Sequence, residues 1–141
     1  MSQTAFILVL TADETAGRRL RELLRDKYGH VCNVVADLPT ALDSIRSRAP
    51  DIVVAPQTVG DEPVAKPLAE LLDVLARDAV LLVIGPGELP PTQHIQVSSL
   101  PGAPDVDNLA QAISRTARRA VARREDRLLE ESIAGQRHEA F

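Results

Sequence analysis

The chain has 141 residues, the size of one domain with a short extension. Hydrophobic residues make up 45% and aromatics 2%, so a core must be built from Leu, Val, Ile and Ala, without the rings on which single-stranded nucleic acid stacks. A formal net charge of −4 argues against general binding to nucleic acid or to an anionic membrane. The single cysteine, Cys32, excludes an internal disulfide and sits in an apolar run, where it reads as a small buried hydrophobe. Phe6 to Leu10 is too short for a signal peptide and lacks a basic leader, and no stretch approaches the roughly 20 apolar residues of a membrane span. A cytoplasmic protein without membrane contact is expected.

In chain order, Ala5 to Leu10 is short and continuously apolar, the pattern of a strand buried on both faces. Thr15 to Tyr28 follows as a helix, with Leu20, Leu23 and Leu24 on one face and arginines on the other; Gly29 is placed to end it. Val31 to Ala36 predicts a second strand. Asp37 or Thr40 then caps a helix reaching about Arg48, with Leu38, Ala41, Leu42 and Ile45 as its apolar stripe. A third strand, Ile52 to Ala55, opens at Pro50-Asp51 and runs into Pro56. A polar loop, Gln57 to Glu62, leads to a third helix of about Val64 to Arg77, whose first turn suits Pro63 and Pro67. Val80 to Ile84 predicts a fourth strand, and the more polar Ile95 to Ser98 a fifth, nearer a sheet edge. From Asp105 the chain lacks Pro and Gly until Gly135, which predicts one long helix capped by Asp105 to Asn108.

Strands and helices alternate with short connections, as in an α/β parallel sheet covered on both faces. Five strands fit the flavodoxin-like, CheY-like order 2-1-3-4-5, with any site at the carboxyl ends of the first, third and fourth strands.

Three patterns give the chain a resemblance to the receiver domains of bacterial response regulators over about residues 5–122. They are Ala12-Asp13-Glu14 after the first strand, Gly29-His30-Val31 before the second, and Ala49-Pro50-Asp51-Ile52-Val53-Val54 approaching the third. The resemblance implies phosphoryl transfer to an aspartate, with an acidic pair holding Mg²⁺ and a hydroxyl and a lysine binding phosphoryl oxygens. Mapped onto this chain, the phosphoacceptor position falls on Pro56. The acidic pair falls on Ala12 and Asp13, the hydroxyl on Gly85 and the lysine on Leu100. The expectation is a degenerate receiver with no catalytic residue, resident metal or cofactor; Asp61 and Glu62 lie in a loop beyond the strand. Between the fourth strand and Ile95, three prolines and two glycines leave no room for the helix the family places there, so the fourth helix is expected to be lost or very short.

The last helix carries Leu109, Ala112, Ile113, Thr116, Ala117 and Ala120 as a sheet-facing stripe. Residues 123–141 extend it beyond a domain of residues 1–122, with arginines at 115, 118, 119, 123, 124 and 127 read as a solvated face or linker rather than a DNA surface. A partial seam suggests a helix-mediated homodimer, with Leu109, Ile113, Ala117, Val121 and Leu128 as interface candidates. The ending resembles the run from a receiver into the output domain of sigma-54-dependent transcription activators, the flagellar master regulators among them, where Val83-Ile84-Gly85 also fits. These features together predict a non-enzymatic, non-phosphorylatable module acting by protein–protein contact, through dimerisation or regulation of an attached output domain. The alternatives are a receiver binding a small ligand in the vacated pocket and, more distantly, a flavodoxin-like enzyme.

Overall fold

The computed structural model describes residues 4–100 and 105–139, with side chains as far as Ser132. The elements are β1 (Phe6–Leu10), α1 (Glu14–Asp26), β2 (Val31–Val35), α2 (Leu38–Ser47), β3 (Ile52–Pro56), β4 (Thr58–Val59), β5 (Glu62–Pro63), α3 (Ala65–Leu75), β6 (Val80–Ile84), β7 (Gln96–Leu100) and α4 (Val106–Glu139). Five of the strands form one parallel sheet in the order β2-β1-β3-β6-β7, the arrangement expected from the alternation of elements.

The central strands explain why the sheet is covered twice. Successive side chains of β1 point to opposite faces: Leu8 and Leu10 pack with α2 and α3, Ile7 and Val9 with α1 and α4. β3 divides likewise, Val53 and Ala55 on one side, Ile52 and Val54 on the other. With almost no aromatic residue available, aliphatic side chains fill both layers, and Ile7, Leu8, Ile52, Val53, Leu81 and Ile113 are fully buried.

Local chemistry sets the helix ends. The Asp13 carboxylate accepts from the Ala16 N–H at 3.0 Å, and the Asp37 carboxylate from the Thr40 N–H at 2.8 Å, so aspartates cap α1 and α2. Gly29 at φ +73° lets the chain turn after α1 into β2. Pro67 falls in the first turn of α3, where its missing N–H costs nothing.

Three differences from the sequence expectations matter. The loop after β3 holds a small hairpin, β4 paired antiparallel with β5, in place of irregular chain. β7 runs from Gln96 to Leu100, so Leu100 ends a strand and does not follow one. Between β6 and β7 no helix forms, and the Asp73 carboxylate organises part of that connection by accepting from the N–H groups of Gln93, His94 and Ile95.

The long α4 forms as one element, and the structure corrects the interface expectation. Ile113, Ala117 and Val121 face the sheet and are buried in the domain's own core, and Leu109 is partly buried against it; none is free for a second chain. Of the five candidates only Leu128 is exposed, beside exposed Leu129. The arginines beyond residue 122 are not simply solvated either. Arg123, Arg124 and Arg127 reach back to the domain, because α4 passes the starts of β3, β6 and β7 before it leaves the sheet. Among the described residues no helix is long and apolar enough to cross a membrane.

Candidate functional site

The carboxyl edge of the sheet brings together most of the positions singled out in the chain. Pro56 ends β3, half-buried, and is paired in register with Ile84 at the end of β6. The next residue, Gly85, has φ +104° and donates its N–H to the Leu100 carbonyl at 2.9 Å, tying β6 to the end of β7. Ala12 and Asp13 occupy the neighbouring turn between β1 and α1, both exposed. The Asp13 carboxylate is engaged as the α1 cap, while its N–H donates to the Thr11 hydroxyl at 3.1 Å.

Beneath these residues lies a cavity of about 200 Å³ between α1 and α4, lined among others by Thr11, Ala16, Val54, Pro56, Ile84 and Leu109. Among the described residues no ionisable side chain lines it. The described lining holds the Thr11 hydroxyl but neither a carboxylate of the kind Mg²⁺ favours nor a cation to offset phosphoryl oxygens. The space suits a small apolar body. Past Pro56, Gln57 lies away from this cavity: its carbonyl accepts from the Val64 N–H at 3.0 Å and its side-chain amide donates to the Glu88 carbonyl at 3.2 Å. Asp61 and Glu62 sit exposed on the β4–β5 hairpin.

The amino edge of the sheet is different. His30 is buried; its Nδ1 accepts from the Ala5 N–H at 3.0 Å and its Nε2 lies 2.9 Å from the Ser114 hydroxyl of α4. Accepting at Nδ1 fixes a neutral ring with the proton on Nε2, which donates to Ser114. Burial first, and Arg118 nearby second, hold the His30 pKa below its usual value. The buried Asp51 carboxylate accepts from the Phe6 N–H at 2.8 Å and pairs with Arg124. Arg127 grips the Asp78 carboxylate at 2.7 Å, and Arg123 donates to the Asp78 carbonyl at 2.7 Å and to Gln96 at 2.9 Å.

Nothing in the chain signals this second cluster as one unit. His30 and Asp51 fall inside the patterns that carry the resemblance, but their partners lie 84 and 73 residues away. Cys32 is partly buried, and that burial pushes its thiol up to about 12, so it is no nucleophile. Among the described residues no group of three or more His, Cys, Asp or Glu is placed to hold a metal ion.

No family model matches the chain, and no curated protein matches it. Solved structures do. NtrX from Brucella abortus superposes with a TM-score of 0.68 at 18% identity, over 92% of this chain and 30% of NtrX. A LuxR-family two-component response regulator from Aurantimonas sp. gives 0.60 at 20% identity, over 81% of this chain and 85% of that one. The fold is that of response-regulator receivers. A third receiver-fold structure, the Vibrio cholerae chemotaxis protein CheY4, gives 0.64 at 12% identity over 80% of this chain and 98% of its own. At such identities the likeness establishes the fold; within this receiver fold, the chemistry must be read from the residues above.

Proposed function

We propose that this receiver-fold domain signals by protein–protein contact and is not phosphorylated. One observation carries the reading: Pro56 stands where the strand end would present a nucleophile, and it opens onto an uncharged cavity. Around it, Asp13 is occupied by helix capping, and Gly85 and Leu100 bring no hydroxyl or cation. The domain has no catalytic role in this reading. It works in the cytoplasm, regulating an attached output domain through α4, which runs past the sheet as a continuous helix. The superposition on under a third of NtrX is in keeping with a regulatory domain of a longer transcription activator, of the sigma-54-dependent class that the sequence resembles. Self-association through the exposed Leu128 and Leu129 belongs to the same proposal.

Mg²⁺ with beryllofluoride or acetyl phosphate tests it directly. No binding and no mass increase are expected; a stoichiometric adduct would overturn the reading. Sedimentation with and without residues 123–141 tests the association, and a monomer in both removes that part. The cavity favours a second reading, a small apolar ligand held between α1 and α4. Ligand retained in native mass spectra of the purified protein, and lost in Ala16→Phe, would favour it.

A further inference from the structure

β7 is an open flank of the sheet. Its residues Gln96–Leu100 include no charge and no proline, and among the described residues they pair on one side only, with β6. The Gln96 N–H donates to the Ala79 carbonyl and the Leu100 carbonyl accepts from the Gly85 N–H, so these residues turn their main-chain groups toward β6. By alternation the N–H and C=O groups of Val97 and Ser99 point off the edge, and among the described residues they have no partner. Because no helix connects β6 to β7, none intervenes to cover this flank. Natural sheets usually blunt such an edge with lysine, proline, a bulge or a cover, and β7 carries neither of those residues.

A basic groove runs beside it. A cavity of about 220 Å³ lies between β7 and α4, lined among others by Gln96, Ser98, Thr116, Arg119 and Arg123, and among the described residues no acidic side chain lines it. Arg123 is committed to Gln96 and Asp78. Arg119 is exposed and has no ion-pair partner among the described residues; Arg115, one turn earlier on the same stripe, is likewise exposed and unpaired. α4 runs back along the sheet, from Leu109 near the carboxyl ends to Arg124 at the amino ends. Four helical residues rise about 6 Å, and two strand residues span about 6.8 Å. An extended chain beside β7 would therefore present every second side chain in step with Arg115 and Arg119.

We propose that β7 takes up an extended acidic segment of a partner protein as an added strand. Its main chain pairs with Val97 and Ser99, and its alternate carboxylates reach Arg115 and Arg119. Main-chain pairing supplies affinity, and the guanidinium groups select carboxylates in register. Intervening side chains fall on the other face, beside partly buried Val97, and are best apolar. Nucleic acid could use the arginines but not the main-chain groups of Val97 and Ser99, which is why the peptide is the favoured occupant. The inference rests on the contact-module reading and names its partner class.

The test is amide NMR of the full chain with a short synthetic peptide alternating glutamate and valine. Slowed exchange at the Val97 and Ser99 amides is expected. Affinity should fall about tenfold or more in Arg119→Glu, the scale of one lost charge-assisted hydrogen bond. Ser99→Pro should abolish binding by removing the outward N–H, and a lysine–valine peptide should not bind. Unprotected Val97 and Ser99 amides, or an affinity indifferent to Arg119→Glu, would overturn the proposal. So would equal competition by an oligothymidylate, or protection that depends on protein concentration without peptide, the mark of a second copy. Beryllofluoride uptake would instead defeat the contact-module reading itself, so the two failures are distinct.

Discussion

The two ends of the sheet have opposite chemistry. At the carboxyl end, Pro56 and Ile84 line an apolar cavity, Gly85 and Leu100 pair beside it, and Asp13 is bound up in a helix cap. At the amino end, His30, Asp51, Asp78 and Gln96 each meet a polar partner on α4, and every buried side-chain N or O of the described residues is satisfied. Polar groups are thus concentrated where they hold the long helix, not at the carboxyl edge around Pro56. A buried polar atom must be hydrogen-bonded to be tolerated, and at His30 and Asp51 that requirement ties α4 to the starts of β1 and β3.

The largest expected effect breaks that contrast at the amino end. Asp51→Ala leaves the Phe6 N–H without its acceptor and Arg124 without its counterion, and should cost about 3 kcal/mol in urea unfolding. A cost under about 0.5 kcal/mol, the scatter of surface substitutions, would mean that the cluster is ornamental. Next comes pH. The unfolded chain takes up a proton at His30 near pH 6.5, but the folded chain does so only at lower pH, because burial lowers its pKa. Over that interval the unfolded state binds more protons, so stability is full above about pH 6.5 and declines as pH falls toward the folded pKa. Thermal melts from pH 7.5 to 5 should show this decline, and His30→Gln should flatten its histidine component. An equal slope in that variant would assign the effect to other groups.

At the carboxyl end the expected effect is a null. Pro56→Asp alone should accept no phosphoryl group from acetyl phosphate, since Ala12, Gly85 and Leu100 still withhold metal ligand, hydroxyl and cation. Even Gly85→Thr carries a cost, as φ +104° is strained for a β-branched residue. A phosphorylated Pro56→Asp domain would show the site to be one residue from function. The smallest effect is expected from Arg127→Ala. Exposed ion pairs contribute little to stability, so global unfolding should be unchanged while amide exchange quickens in α4 beyond Arg124; unchanged exchange would deny Arg127 any role in holding the helix.

The carboxyl-end residues are legible in the amino-acid sequence, because each sits at a fixed step past an apolar strand and strands announce themselves locally. Pro56 and Gly85 are strand-end positions of that kind, whereas Leu100 falls inside the polar β7, which runs further than its pattern announces; the loss of a helix after β6 follows from the proline and glycine content of that connection. The amino-end cluster is not legible in the same way. Arg124 reads as part of a solvated arginine run, since nothing local distinguishes an arginine that meets Asp51 from one that meets water. Ile113, Ala117 and Val121 are candidates both for the sheet and for a partner chain; a helical stripe shows that a face is covered but not by what.

The alternation of elements, the doubly covered parallel sheet and the lack of a carboxylate, hydroxyl or amine at Pro56, Gly85 and Leu100 therefore follow from the amino-acid order alone, because hydrophobic period, capping residues and side-chain identity are all local facts. Three other features emerge only from the folded chain. α4 buries its stripe in the home core, three arginines fasten it to the sheet, and β7 is left with an open edge beside a basic groove. Those depend on contacts between residues far apart in the chain, whose energies exist only once the sheet has brought them together.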